Sequence, residues 1–572
     1  MSKTLAKLAK TYLTCPNPQS HSVTFRYHPA FLTTLTILYF WLFPTLSANE
    51  ALLNRARTTI TDQELSTHIE VLADDSFEGR EAGTRGGRAA AKYLLKFLER
   101  DLQPIVKNGG YVQSFNAGYR NLLGVIEGND PELKNEYLLV GAHYDHVGYG
   151  NSRNSYGPFG QIHNGADDNA SGVSALLEVM DAFATTGLSC KRSIIFAFWD
   201  GEEKGLLGSE HWAINPSIPL DQVKLAINVD MIGHLRNNRV EVYGARSMRG
   251  LRHMVTAANA GSELKLDYLW EINENSDHHS FHKRQIPVLM FHTGLHAFYH
   301  RPSDDAHLIN AEGVQQVSNL LLNTLTVLGN EPSFDTFRPA SRYEGPGDRS
   351  RFERPLAPGP TRLGLSWNAQ QTENGLRVLR VRRGLPADLA KIRSGDILLE
   401  LNGIRLDSSA TMSQAMVSAP QDSVLLVQKQ DSDRPEEVAV RLIGQPTRLG
   451  ITWRADIAES KSVNLVRVVP HSPAARAGLQ LNDRILEVNG ERFKDSREFR
   501  DLVFDAPLPV TIVYERQGQM QSTVLEPSDF STETTEADVP ETDETQTDAS
   551  EDATLTTTTE ATGSSVIGSS EP

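Results

Sequence analysis

Two kinds of apolar pattern alternate between Thr61 and about Asn330. Helical spacing recurs in Leu65, Ile69 and Leu72 after the polar start Thr61-Asp62-Gln63-Glu64, and in Leu94, Leu95 and Phe97. A third such segment carries Val173, Leu176, Leu177, Val179, Met180 and Phe183. Between these lie short uninterrupted apolar runs: Tyr137 to Ala142, Ser193 to Trp199, Leu225 to Val229 and Ile286 to Phe291. Runs of that length without alternation mark strands buried on both faces. Strands interleaved with helices predict an α/β domain.

Each of these apolar runs abuts acids or histidines. The first ends in His143-Tyr144-Asp145, the second in Asp200-Gly201-Glu202-Glu203 and the third in Asp230. The fourth is preceded by Ser276-Asp277-His278-His279 and followed by Thr293-Gly294-Leu295-His296-Ala297-Phe298-Tyr299-His300-Arg301-Pro302-Ser303-Asp304-Asp305. Carboxyl ends of strands are where α/β sheets build sites. In the middle stands Asn164-Gly165-Ala166-Asp167-Asp168-Asn169-Ala170-Ser171-Gly172, two adjacent aspartates between glycines, with Ser171 the expected N-cap of the next helix. A carboxylate held at the edge of a core is costly unless a cation or donors compensate it. Oxygen and imidazole groups without thiolates suit zinc, or manganese or cobalt. One histidine, one terminal carboxylate and one shared carboxylate per ion describe a two-metal hydrolytic centre, and the adjacent Glu202 and Glu203 fit a division between base and ligand.

Composition narrows the function class. Of 572 residues, 39% are hydrophobic and 22% charged, as in globular proteins, and length alone sets a prior of about two to four domains. The net charge of −16 belongs largely to the end of the chain, where twelve acidic residues and no Lys or Arg follow Pro527. No basic footprint for nucleic acid is present. The two cysteines are Cys15 and Cys190, too few for a disulfide framework or a Cys-rich zinc site. At the N-terminus Lys3, Lys7, Lys10 and Arg26 precede an apolar run from Ala30 to Leu46 and then Ser47-Ala48-Asn49. This reads as an export signal over residues 1–48, placing the protein in the periplasm or outside the cell; an uncleaved membrane anchor is the alternative.

The ordered set His143-x-Asp145, Gly165 to Gly172, Glu202-Glu203, Asn228-Val229-Asp230, Ser276-Asp277-His278 and Tyr299-His300 resembles the di-zinc aminopeptidases of the bacterial leucyl aminopeptidase and aminopeptidase Y type. The loop Gly79-Arg80 to Gly86 resembles that family's early motif. The resemblance implies a mixed β-sheet flanked by helices, the zinc exopeptidase fold, over residues 49–330. It further implies two zinc ions per catalytic domain. Asp168 would bridge them, His143 and Asp230 would bind one, and Glu203 and His300 the other. Glu202 would be the general base and Asp145 would orient His143. Substrates would be peptides with a free N-terminus. The remaining histidines are weaker signals: His296 reads as pocket-lining, His278, His279, His282, His292 and His307 as exposed or hydrogen-bonded, His146 and His163 as surface residues. Asp277 reads as a support for the metal site or a helix cap.

Residues 331–359, rich in Pro, Arg and Gly, read as a linker. Then Pro360-Thr361-Arg362-Leu363-Gly364-Leu365-Ser366-Trp367 recurs 86 positions on as Pro446-Thr447-Arg448-Leu449-Gly450-Ile451-Thr452-Trp453. Asn402-Gly403 and Asn489-Gly490 turns sit in apolar, strand-like surroundings. The two copies, 360–443 and 446–526, resemble PDZ domains. Leu363-Gly364-Leu365 and Leu449-Gly450-Ile451 would then capture peptide C-termini by strand addition. Lys391 stands in the first copy where the second has Gly478, a departure from the pattern. The alternative is that both copies are structural appendages docked on the catalytic domain. Residues 527–572 lack the apolar content to fold. Two other functions compete with an aminopeptidase: a glutaminyl cyclase-like enzyme, and a catalytically idle scaffold acting through the PDZ domains.

Overall fold

The computed structural model describes residues 49–527 except 108, 117, 357–361, 369–374, 445, 448 and 471. The expected export signal and acidic tail lie outside the described residues, as do Pro360, Thr361 and Arg448 of the two matching motifs. Among the described residues no helix is long and apolar enough to cross a membrane.

The first domain is a mixed sheet whose spatial order is β1-β3-β5-β4-β6-β9-β7-β8, with β2 paired to β3. The strands are β1 (Gln103–Pro104), β2 (Val112–Phe115), β3 (Tyr119–Ile126), β4 (Tyr137–His143), β5 (Ser193–Trp199), β6 (Val223–Val229), β7 (Arg239–Tyr243), β8 (Lys265–Tyr268) and β9 (Val288–His292). The four central strands, β5, β4, β6 and β9, run parallel, while β3 and β7 pair antiparallel on either side of them. The uninterrupted apolar runs are explained by burial on both faces. Leu138, Val140 and Ala142 face one core with Ile194, Phe196, Phe198 and the helices Asp62–Leu72, Gly172–Thr186 and Ala311–Asn330. Leu139, Ile195, Ala197 and Trp199 face a second core with Trp212 and Phe281. Each fully buried large side chain contributes roughly 1.5–3 kcal/mol. This three-layer packing fixes the register His143 to Trp199 and Val229 to Phe291, so the functional strand ends lie at one edge.

Two antiparallel sheets follow. The first contains β10 (Leu365–Trp367), β11 (Leu376–Val381), β12 (Ile397–Leu401), β13 (Ile404–Arg405), β14 (Asp422–Gln428) and β15 (Pro435–Arg441). The second contains β16 (Ile451–Ala455), β17 (Val463–Val468), β18 (Arg484–Val488), β19 (Glu491–Arg492), β20 (Val510–Arg516) and β21 (Gln519–Leu525). Their strand orders correspond one to one, β10-β11-β12-β14-β15 and β16-β17-β18-β20-β21, and each has its own apolar core. In both, a tryptophan indole N–H donates to a helix serine: Trp367 to Ser409 at 2.9 Å and Trp453 to Ser496 at 3.0 Å.

The second β-domain is docked on the first domain. Arg246 donates to Asp456 at 2.7 and 2.9 Å, and Arg252 to Glu515 at 2.8 and 2.9 Å. Backbone bonds run from Gly250 N to Ala458 O and from Leu266 N to Gln517 O. The Pro/Arg/Gly-rich segment read as a linker takes part in this contact. It forms the short helix Pro346–Glu353, Arg349 pairs with Asp267 at 2.8 Å, and Phe352 packs against Trp270.

Candidate active site

The turn around the paired aspartates is built by close backbone approach. Gly165 lies at φ +58°, and a Cβ there would meet Asp168 O at 2.2 Å and the His146 ring at 2.5 Å. Gly172 leaves room for the Asn169 side chain, whose Oδ1 accepts from Gly172 N and Met231 N while its Nδ2 donates to Val229 O. Ser171 does not cap the helix. Its hydroxyl donates to Asp167 and accepts from Ile232 N, tying the turn to the end of β6 instead. Buried Arg80 donates to five main-chain carbonyls, at Leu72, Tyr144, Asn164, Gly165 and Asp168. Burial lowers its pKa to about 10, while Asp168, Asp304, Asp145 and Glu203 support its charge. The early Gly-Arg motif is thus a clamp under the turn.

At the strand ends the five residues expected to bind metal converge. His143 Nε2 lies 3.3 Å from Asp168 Oδ1 and 3.4 Å from Asp230 Oδ1. His300 Nε2 lies 3.0 Å from Asp168 Oδ2 and 3.2 Å from Glu203 Oε2. Asp168 therefore divides its two oxygens between two groups that could each hold an ion: His143, Asp168 and Asp230, and His146, Asp168, Glu203 and His300. Ligand atoms about 2.0–2.1 Å from a shared tetrahedral zinc would stand roughly 3.4 Å apart, so both donor sets fit zinc. Asp230 Oδ1 is buried without a hydrogen-bond partner, as expected of an atom kept for a cation, and Ser276 Oγ fixes Oδ2 at 2.5 Å.

His146 is not a surface residue. It is buried, with Nδ1 2.8 Å from Glu203 Oε1 and Nε2 unpartnered. His163 is also buried, its Nε2 2.6 Å from Ser155 Oγ. Of the histidines expected to be exposed or hydrogen-bonded, His307 is exposed and His282 and His292 are buried and hydrogen-bonded, to Ser341 Oγ at 3.0 Å and from Gly294 N at 2.6 Å, whereas His278 is buried. Asp145 is placed differently from expectation. Its main-chain carbonyl, 3.1 Å away, receives His143 Nδ1, while its carboxylate Oδ1 accepts Glu202 N at 3.0 Å and lies 3.9 Å from His143. The side chain thus positions the Glu202 segment directly. Asp277 makes no cap bond; both its oxygens are unpartnered and burial lifts its pKa to about 7.

The electrostatics are those of crowded carboxylates. Burial opposes charge on His300, yet Asp168 and Glu203 raise its pKa to about 11. Burial, reinforced by Glu203, Asp277 and Asp230, holds the Glu202 pKa well above the usual carboxylate range. Asp304 carries no signal of its own in the sequence beyond its place in the run after β9. Its two oxygens accept Asp167 N at 3.0 Å and Asp168 N at 3.1 Å, so it sets the orientation of the central carboxylate.

Fold and site together describe a mixed α/β domain whose strand ends gather two His–carboxylate donor groups, followed by two small β-domains. Residues 121–325 match Peptidase family M28, and residues 353–428 and 465–516 each match the PDZ domain. The chain contains a Peptidase family M28 domain followed by two PDZ domains. It is 24% identical over 208 residues to the probable leucine aminopeptidase of Arthroderma otae, covering 35% of this chain and 53% of the relative. To Aminopeptidase YwaD of Bacillus subtilis it is 29% identical, over 36% of this chain and 44% of the relative. It therefore spans about half or less of the length of these relatives. Among solved structures, the LapA aminopeptidase of Legionella pneumophila aligns at a TM-score of 0.40 and 22% identity, covering 50% of this chain and 76% of that one. A Zn-dependent exopeptidase from Parabacteroides distasonis aligns at 0.38 and 22% identity, over 47% and 98%.

Proposed function

We propose that the protein is an exported zinc aminopeptidase that removes the first residue of peptides with a free N-terminus. The carrying observation is Asp168, whose two carboxylate oxygens face two separate histidine–carboxylate groups at 3.0–3.3 Å. On this reading His143, Asp168 and Asp230 would hold one zinc, and Asp168, Glu203 and His300 the other, with His146 against Glu203. Zinc there would supply an acidified water and polarise a carbonyl. Glu202 takes the water's proton and passes it to the leaving amine. Asp145 holds the Glu202 main chain in place. Export is supported by the basic and apolar pattern of residues 1–46. The PDZ domains are proposed to take peptide C-termini along β10 and β16, each at the end of its sheet path. Domain limits are proposed at 49–330, 360–443 and 446–526.

Glu202→Gln tests the assignment. Release of the first residue from an unblocked peptide should fall by about 100- to 10,000-fold in kcat, with zinc content unchanged. Turnover equal to wild type would contradict the base role.

A further inference from the structure

A third group of potential ligands lies outside the two already described. Asp167, His234 and His296 each bring one ligand atom to within 4.8 Å of the others, and none of them belongs to either active-site group. Asp167 is fully buried. Its Oδ1 is saturated by Ser171 Oγ at 2.9 Å and Gly233 N at 2.5 Å, while Oδ2 has no hydrogen-bond partner. His296 Nε2 stands 3.0 Å from that Oδ2, without hydrogen-bond geometry, on a side chain only 4% exposed. His234 Nε2 is likewise buried and unpartnered, and its ring lies against that of His296, tilted by 36° with 4.0 Å between centroids. Leaving three polar atoms unpaired would cost several kcal/mol together. Three such atoms from three separate segments, directed at one another, are the arrangement a cation resolves.

The geometry points to a third divalent-metal site, formed by Asp167, His234 and His296, for zinc or another borderline cation. Two imidazoles and one carboxylate are a donor set that zinc accepts, with its remaining position open to water. His296 Nδ1 accepts Phe298 N at 3.2 Å, so binding through Nε2 requires the proton to sit on Nδ1 and that long contact to open. The ion would join the aspartate turn, the segment after β6 and the 293–300 loop that carries His300. Its role is to order that loop.

The test is a metal count by inductively coupled plasma mass spectrometry on the full chain, equilibrated at a fixed buffered free-zinc concentration. Wild type should hold one more zinc per chain than His234→Ala and one more than His296→Ala. That difference does not depend on how many ions the Asp168 centre holds, so the two readings fail separately. Anomalous diffraction at the zinc edge from wild-type crystals should show a peak between Asp167, His234 and His296, which decides the matter even if a variant does not fold. Equal zinc in wild type and both variants, or no peak among these residues, would overturn the site and leave an Asp167–His296 ion pair.

Discussion

Two residues show how local chemistry supports the site and the domains. Asp304 contributes no atom to either active-site group, yet it accepts the amide protons of both aspartates in the turn. Supports of this kind commonly carry 10- to 100-fold in metal affinity. Asp304→Ala should weaken zinc binding by about that factor in a competitive chelator titration; unchanged affinity would remove its role. Lys391 lies at φ +58°, where Gly478 of the second PDZ domain lies at φ +79°. A side chain in that region costs roughly 1–2 kcal/mol, partly offset by the entropy of glycine. Lys391→Gly should therefore stabilise the first PDZ domain by about 1 kcal/mol in denaturant unfolding, and a destabilisation would show that the lysine makes a compensating contact. The sequence exposed the departure at Lys391, while the grouping of His143, Asp168, Glu203, Asp230 and His300 came from the resemblance of its ordered motifs to the di-zinc aminopeptidases. It missed His146 because a histidine three residues past a strand end has no periodic pattern to mark it as buried. Asp304 was equally silent, since its partners are main-chain amides far away in sequence.

At the scale of elements, continuous apolar runs made β4, β5, β6 and β9 legible, since burial on both faces leaves that trace. The short outer strands β1, β2 and β8, and β7 beside β8, left no comparable trace. Nor did the docking of the second PDZ domain, which rests on charges that a sequence presents as ordinary surface. Asp456 receives both Arg246 and Arg484, and Glu459 Oε1 accepts Arg252 N at 3.0 Å. Burial raises the Glu459 pKa to about 8, against a softer pull from Arg484 and Arg252. Between pH 4.5 and about 8 the folded protein thus keeps a proton that the unfolded chain releases. Stability must then fall as pH rises through that window. Glu459→Gln should flatten this decline in urea midpoints taken at pH 5, 6.5 and 8, since glutamine keeps the acceptor and loses the titration. Parallel curves for the two proteins would contradict it.

Across the whole molecule, the peptidase domain and the second PDZ domain share a buried charged contact. Breaking one partner of such a pair typically costs about 3–5 kcal/mol, so this domain is held in place rather than tethered. The segment expected as a linker is part of that junction, for its Pro, Gly and Arg composition conceals Phe352 against Trp270 and Arg454 donating to the carbonyls of Arg351 and Arg354. The alternative of a docked appendage therefore describes one property of the second domain, and a peptide groove at β16 is compatible with it. We propose that the Asp168 centre makes the chain a zinc aminopeptidase. The most direct test is hydrolysis by the full chain of one peptide offered with a free or an acetylated N-terminus, after chelation and again after zinc is restored. Zinc should restore release of the first residue from the free peptide only. Cleavage of the acetylated peptide, or no cleavage of either with zinc bound, would contradict it.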